Sequence, residues 1–245
     1  MPVNFTKIFQ DSLNFLINQK PLLITVMALF VINNLATQLI LSSLQPPIAV
    51  LNDAEYRING TSLMLTIAAH IISLLLVLWL LNLIIQISKG QAANFATALN
   101  LSLGKIIPFV VLNIISVLPI SLGITSFSAP NVGIIALLSF CVGGYLFLRL
   151  FLAQFAYIIE NGTIGEALKL VWLNSGKRVF PLFLLVLATY ILPLLVSLQL
   201  ANLGNSLFVI FLSSIITAAI SIFTVVFTYR FYQLFIDKNI LRKFQ

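Results

Sequence analysis

Charge is the scarcest feature of this sequence. Only 8% of its 245 residues are Asp, Glu, Lys or Arg, against 60% hydrophobic, where soluble domains carry about 25% charged residues. A chain so poor in charge cannot cover a water-facing surface, and a mean hydropathy of +1.11 places it in a membrane. Cysteine is limited to Cys141, inside an apolar run, which excludes a disulfide framework or a thiolate metal cluster within one chain. Histidine is limited to His70, and one His with one Cys cannot build the usual zinc sites. There are six acids (Asp11, Asp53, Glu55, Glu160, Glu166 and Asp237), and none falls in the middle of an apolar run. HExxH, Walker A and GxSxG patterns are missing. Nothing supports catalysis, so the expectation is a non-enzyme without a cofactor.

The apolar runs themselves are long. We place spans at about Leu22–Leu44, Leu63–Ser88, Ile106–Phe127, Val132–Ile158, Leu182–Asn202 and Leu207–Leu234, each meeting the roughly 20 residues that a bilayer requires. The expected fold is all-α: a polytopic bundle of six transmembrane helices forming one integral membrane domain over 1–245. The first apolar run is far longer than the roughly 7–15-residue core of a cleaved signal, so no processing is expected.

Between the spans lie short amphipathic stretches. In Thr163 to Ser175, Thr163 and Glu166 form an S/T-x-x-E capping box, which satisfies two backbone N–H groups at a helix start. Ile164, Ala167, Leu168, Val171 and Trp172 then share one face, with Glu166, Lys169 and Asn174 away from it. Asn161-Gly162 reads as the turn before this helix. Asn94–Leu103 carries a weaker copy, with Phe95, Ala98, Leu99 and Leu103 on one face. Asn4–Lys20 carries another, with Phe5, Ile8, Phe9, Leu13 and Leu16. Each is followed by a base (Lys20, Lys105, Lys177-Arg178), a proline (Pro21, Pro108, Pro181) and two spans. The pattern predicts three repeats of a cytoplasmic surface helix plus a transmembrane hairpin, at about 4–88, 94–158 and 163–234.

Charge sets the orientation. Twelve of the 13 bases fall at the end of the spans that holds both termini: Lys7, Lys20, Lys89, Lys105, Arg149, Lys169, Lys177, Arg178, Arg230, Lys238, Arg242 and Lys243. Arg57 falls opposite. The positive-inside rule then puts both termini and all three short helices in the cytoplasm. The net charge of +7 is thereby read as a basic cytoplasmic rim, facing the bilayer and anionic phospholipid headgroups and not nucleic acid. The sequence names no protein partner.

Three segments, FTKIFQDSLNFLINQ, LIIQISKGQ and GEALKLVWLNSGKRVFP, carry a resemblance to the YciC-like family of bacterial inner-membrane proteins. More distantly, Arg149, Glu160-Asn161-Gly162, Glu166-Ala167, Trp172 and Gly176 look like the membrane domain preceding some bacterial glycerophosphodiester phosphodiesterases, whose catalytic barrel has no room here. The resemblance implies six spans in the inner membrane and brings no activity.

A few polar residues remain as candidates for function. Arg149 is the sharpest, since charge within a span is costly and often functional. Its bland role is to hold the fourth span to the third short helix through Glu160 or, preferably, Glu166. Arg230 stands likewise late in the sixth span, with Asp237 a further acid in reach. His70 could relay a proton, but is expected to bond Asn33, Asn34, Thr37 or Gln38 of the first span. Asn33, Asn34 and Gln38, with Asn82, Gln86, Asn113 and Gln154, either line a path or join helices. Pro119 and Pro193 mark kinks, and Gly143-Gly144 a place of close packing. The expected role is a non-enzymatic component of envelope or membrane-lipid homeostasis, with a small transporter or channel as the alternative.

Overall fold

The structure is a computed structural model that describes residues 4–44, 60–127, 133–176, 178–204 and 206–237. The polar loop with Arg57, the turn at Ser128–Asn131, Lys177, Asn205 of the Gly204-Asn205 turn, and the tail with Lys238, Arg242 and Lys243 lie outside the described residues. The described chain is helical throughout: α1 (Phe5–Asn18), α2 (Lys20–Leu44), α3 (Gly60–Ser88), α4 (Phe95–Ser126), α5 (Ile134–Leu150), α6 (Ala153–Glu160), α7 (Ile164–Ser175), α8 (Val179–Val186), a π-helical turn (Leu187–Ile191), α9 (Leu192–Ala201) and α10 (Leu207–Phe235). Six stretches are long and apolar enough to cross a membrane: Lys20–Ile40, Leu63–Ser88, Phe95–Ser126, Ile134–Glu160, Val179–Leu200 and Leu207–Phe235. The chain is an all-α, multi-pass membrane protein.

The spans close into a ring. α2 lies on α3, α3 on α4, α4 on α5, α5 on α8, α9 on α10, and α10 returns to α2. α10 is the hub, touching α1, α3 and α6 as well. Its late half supplies Val225, Val226, Phe227, Tyr229, Phe231, Tyr232 and Phe235 to the core. The filled core occupies one end of the ring: Leu22 to Phe30, Leu74 to Ile84, Phe147 to Ile158, Leu182 to Val186 and the end of α10. This is the end that carries Lys20, Lys89, Lys105 and Arg178. Toward the other end Leu63, Met64, Ile67, Leu122, Ile134, Ile135, Leu194 and Phe208 are exposed. Lipid is as apolar as leucine, so burial there adds little drive to association; packing and interhelical hydrogen bonds hold the ring instead.

Helix geometry revises several expectations. The second surface helix is not separate: Asn94 caps α4 by accepting from the Thr97 N–H at 3.0 Å, and α4 runs unbroken through Gly104, Lys105 and Pro108. Gly104 costs about 1 kcal/mol in a helix interior, and Pro108 removes one backbone bond without ending the helix. The fourth span bends at Phe151-Leu152, between α5 and α6. The Leu150 carbonyl beside that bend accepts from the Ser116 hydroxyl at 3.1 Å. Ahead of Pro193 the helix widens into the π-helical turn, because proline leaves the carbonyl four residues back without its donor. Tyr190 in that turn meets Phe147 and Phe151 edge-on, at 5.4 and 5.7 Å.

The helices α1 and α7 also bury different faces from those expected. On α1 the buried residues are Ile8, Ser12 and Phe15, while Phe9, Leu13 and Ile17 are exposed, at 47%, 37% and 58%. Both stripes are apolar, and the structure assigns the first to protein. On α7 the buried set is Ala167, Leu170, Val171, Asn174 and Ser175. Trp172 is 40% exposed, and Asn174, expected to face outward, is inside. Its side chain donates to the Leu170 carbonyl at 2.9 Å and accepts from the Asp237 N–H at 2.9 Å.

The capping box of α7 is present in both directions: Thr163 N–H donates to Glu166 at 2.8 Å, and Glu166 N–H to the Thr163 hydroxyl at 3.3 Å. Thr163→Ala with Glu166→Ala is expected to destabilise this helix by about 0.5–2 kcal/mol. Faster limited proteolysis between Asn161 and Lys169 would register it; unchanged cleavage would mean that packing against α5 and α6, not the cap, fixes α7.

Candidate functional site

The polar residues of the packed end gather where α5, α6, α7 and α10 meet. Arg149 stands in the last turn of α5 and is only 9% exposed. Its Nε donates to the Ser175 hydroxyl at 3.0 Å, Nη1 to the Tyr145 hydroxyl at 3.2 Å, and Nη2 to the Trp172 carbonyl at 2.6 Å. The guanidinium also lies 3.5 Å from the centre of the Trp172 ring, close enough for a cation–π contact. The expected carboxylate partner is replaced by the end of a helix. The last carbonyls of α7 carry the negative pole of its dipole and lack intrahelical donors, so an arginine from α5 satisfies both needs. Glu166 is engaged in the capping box, and Glu160 accepts from the Tyr232 hydroxyl of α10 at 3.2 Å.

A second arginine repeats the device. Arg178 Nη1 donates to the Phe235 carbonyl at the end of α10, at 3.3 Å. At the α6–α7 turn Asn161 adopts the left-handed conformation, with φ 55° and ψ 32°, which asparagine tolerates better than most residues. Its side-chain oxygen accepts from Lys105 Nζ of α4. The helix ends are thus tied to one another by Arg149, Arg178, Lys105, Asn174 and Tyr232. The sequence reading missed Tyr145 and Ser175. Tyr145 had a signal, since it lies four residues before Arg149 on the same helix face.

The remaining candidates are dispersed. Asn113 donates to Gln154 at 3.3 Å, joining α4 to α6. Asn82 donates to Ser102 at 2.9 Å, and Gln86 accepts from the Asn94 N–H at 3.0 Å, joining α3 to α4. Asn33 donates to Ser73 at 2.9 Å, Asn34 to the Ser214 carbonyl at 3.4 Å, and Gln38 accepts from Ser213 at 3.1 Å. Thr37 donates to the Asn33 carbonyl at 2.8 Å. The four expected partners of His70 are therefore engaged with α3, α10 and their own helix, while His70 is exposed on α3. Arg230 is half-buried, its guanidinium 5.4 Å from the Phe15 ring centre and 6.0 Å from that of Tyr229. Its Nε is buried without a hydrogen-bond acceptor. Among the described residues no three His, Cys, Asp or Glu side chains come together as metal ligands would.

No protein-family model matches this chain, and no solved structure matches it. An uncharacterized protein of Haemophilus influenzae is 30% identical over 243 residues, covering 96% of this chain and 99% of the relative. Identity at that level along nearly the whole of both chains makes this six-span protein a member of the same bacterial family as the uncharacterized H. influenzae protein.

Proposed function

We propose that this chain is a non-enzymatic inner-membrane protein of the YciC-like kind. It acts in envelope or membrane-lipid homeostasis by engaging anionic lipid at a basic, cytoplasmic end. One observation carries the reading: α1 exposes Phe9, Leu13 and Ile17, and α7 exposes Trp172, at the end of the bundle where Lys20, Lys89, Lys105 and Arg178 also lie. Apolar side chains beside bases suit the headgroup boundary, and each base near an anionic surface adds about 1 kcal/mol of attraction. The three-unit reading also belongs here. α1 with α2, and α7 with α8, keep the plan of a surface helix before a span, and α4 is the unit in which the two have fused. Purified protein in neutral detergent should melt higher when phosphatidylglycerol is added than when phosphatidylcholine is, and the difference should shrink in high salt. Equal responses to the two lipids would overturn the reading.

A small transporter or channel is the alternative, favoured by the π-helical turn at Leu187–Ile191, a distortion frequent at functional sites. Against it, the Asn and Gln side chains that would line a path are committed to pairs between helices. Flux through reconstituted vesicles, abolished by closing the turn with Pro193→Ala, would favour the alternative.

A further inference from the structure

Arg230 differs from the other arginines of the described chain. Arg149 and Arg178 donate to carbonyls at helix ends. Arg230 sits five residues before the end of α10, about 7.5 Å along the helix, and α1 packs against this part of α10. Phe5 lies 6.4 Å from Phe227 and 5.7 Å from Phe231, and Phe9 lies 5.4 Å from Phe223. Phe15 and Tyr229 offer their rings to the guanidinium at 5.4 and 6.0 Å, and a ring is a far weaker acceptor of N–H groups than an oxygen. Arginine has five such donors and keeps its charge in proteins. With Nε buried and unmatched, the cation is left costly unless an acceptor comes from outside the chain.

We infer that Arg230 binds a phosphate group in the angle between α1 and α10, supplied by the headgroup of an anionic lipid. This rests on the reading that the basic end engages anionic lipid, and it names the site. Guanidinium and phosphate match in geometry and charge. The position fits the source: α1, whose Phe15 ring lies near the guanidinium, exposes Leu13 and Ile17 on its opposite side for the acyl region. Lys7 on α1 and Lys20 at the start of α2 are exposed on the two helices that pack against α10 here. Asp11 of α1 is also exposed.

The experiment compares the parent, Arg230→Met and Arg230→Lys by thermal melting in neutral detergent. Each is titrated with phosphatidylglycerol, phosphatidylcholine and inorganic phosphate. Without lipid, Arg230→Met should melt at or above the parent, because an unmatched cation has gone. Phosphatidylglycerol should raise the parent, and its apparent affinity for Arg230→Met should be about ten-fold weaker, the equivalent of one charged contact. Arg230→Lys should fall between, and it carries the test alone if the Met variant does not accumulate. Phosphatidylglycerol responses in Arg230→Met and Arg230→Lys equal to the parent's would overturn the inference while leaving the broader lipid reading intact. A parent that does not distinguish phosphatidylglycerol from phosphatidylcholine would overturn both. An equal shift from inorganic phosphate, lost in Arg230→Met, supports the phosphate site and overturns lipid as its source.

Discussion

Gly143→Ala is expected to collapse the yield of folded protein, while Gly144→Ala, one residue along, leaves it unchanged. α4 packs on α5, and at Gly143 and Gly123 the approach is backbone to backbone. A methyl group at Gly143 would meet the Pro119 carbonyl oxygen directly and lie 2.8 Å from its carbon. One turn further, a methyl at Gly123 would lie 2.7 Å from the Phe140 Cα. Neither obstacle is a flexible side chain that could swing aside, so the helices must move apart. Overpacking costs about 1–3 kcal/mol and sometimes more. Here the cost falls at the high end, because separation also removes the contacts that small residues permit between membrane helices. At Gly144 a methyl would meet only the Ile120 side chain, at an ordinary 3.6 Å. Protein level in membranes and melting in detergent measure both variants. Equal behaviour of Gly143→Ala and Gly144→Ala would show that the close approach contributes nothing.

The second large effect belongs to Arg149. Arg149→Leu is expected to destabilise the bundle by about 3 kcal/mol or more. It removes three hydrogen bonds from a charged donor, each worth about 1.5–3 kcal/mol in favourable cases, and the stack on Trp172. These losses overlap, since all depend on one guanidinium. Arg149→Lys should recover part, because an ammonium is a point charge without the planar fork. Adding Glu166→Leu to Arg149→Leu should not compensate, since the acceptors are the end of α7 and two hydroxyls. Compensation by the double change in melting experiments would contradict the helix-end contact and restore the carboxylate pairing. An Arg149→Leu protein that melts like the parent would remove Arg149 from the structural framework altogether.

The particular residues show why some of this was legible in the chain and some was not. The spans follow from apolar length, and the start of α7 follows from Thr163 and Glu166, because both partners of a capping box are written as letters three positions apart. The turn at Asn161-Gly162 is legible because that pair of residues marks a turn by itself; the left-handed conformation of Asn161 is not. The partner of Arg149 is not: a helix-end carbonyl is backbone, and nothing in the identity of Trp172 marks its oxygen as an acceptor. The orientation of α1 is equally silent, since Leu13 and Ile17 read as apolar as Ile8 and Phe15, and only packing against α10 separates the exposed stripe from the buried one. Gly104, Lys105 and Pro108 look like a boundary, yet α4 passes through them because no competing turn gathers there. The Asn and Gln residues were visible as interhelical glue; which helix each one grips was not.

Orientation is the premise on which the lipid reading and the Arg230 site both stand, and cysteine accessibility tests it most directly. In a Cys141→Ser background, single cysteines at Gly133 and Leu203 should react in intact cells with a membrane-impermeant thiol reagent. Cysteines at Lys89 and Lys169 should react only after the membrane is opened, as the distribution of bases requires. Labelling of Lys89 and Lys169 positions from outside, with Gly133 and Leu203 protected, would turn the basic end away from the cytoplasmic leaflet and contradict the account.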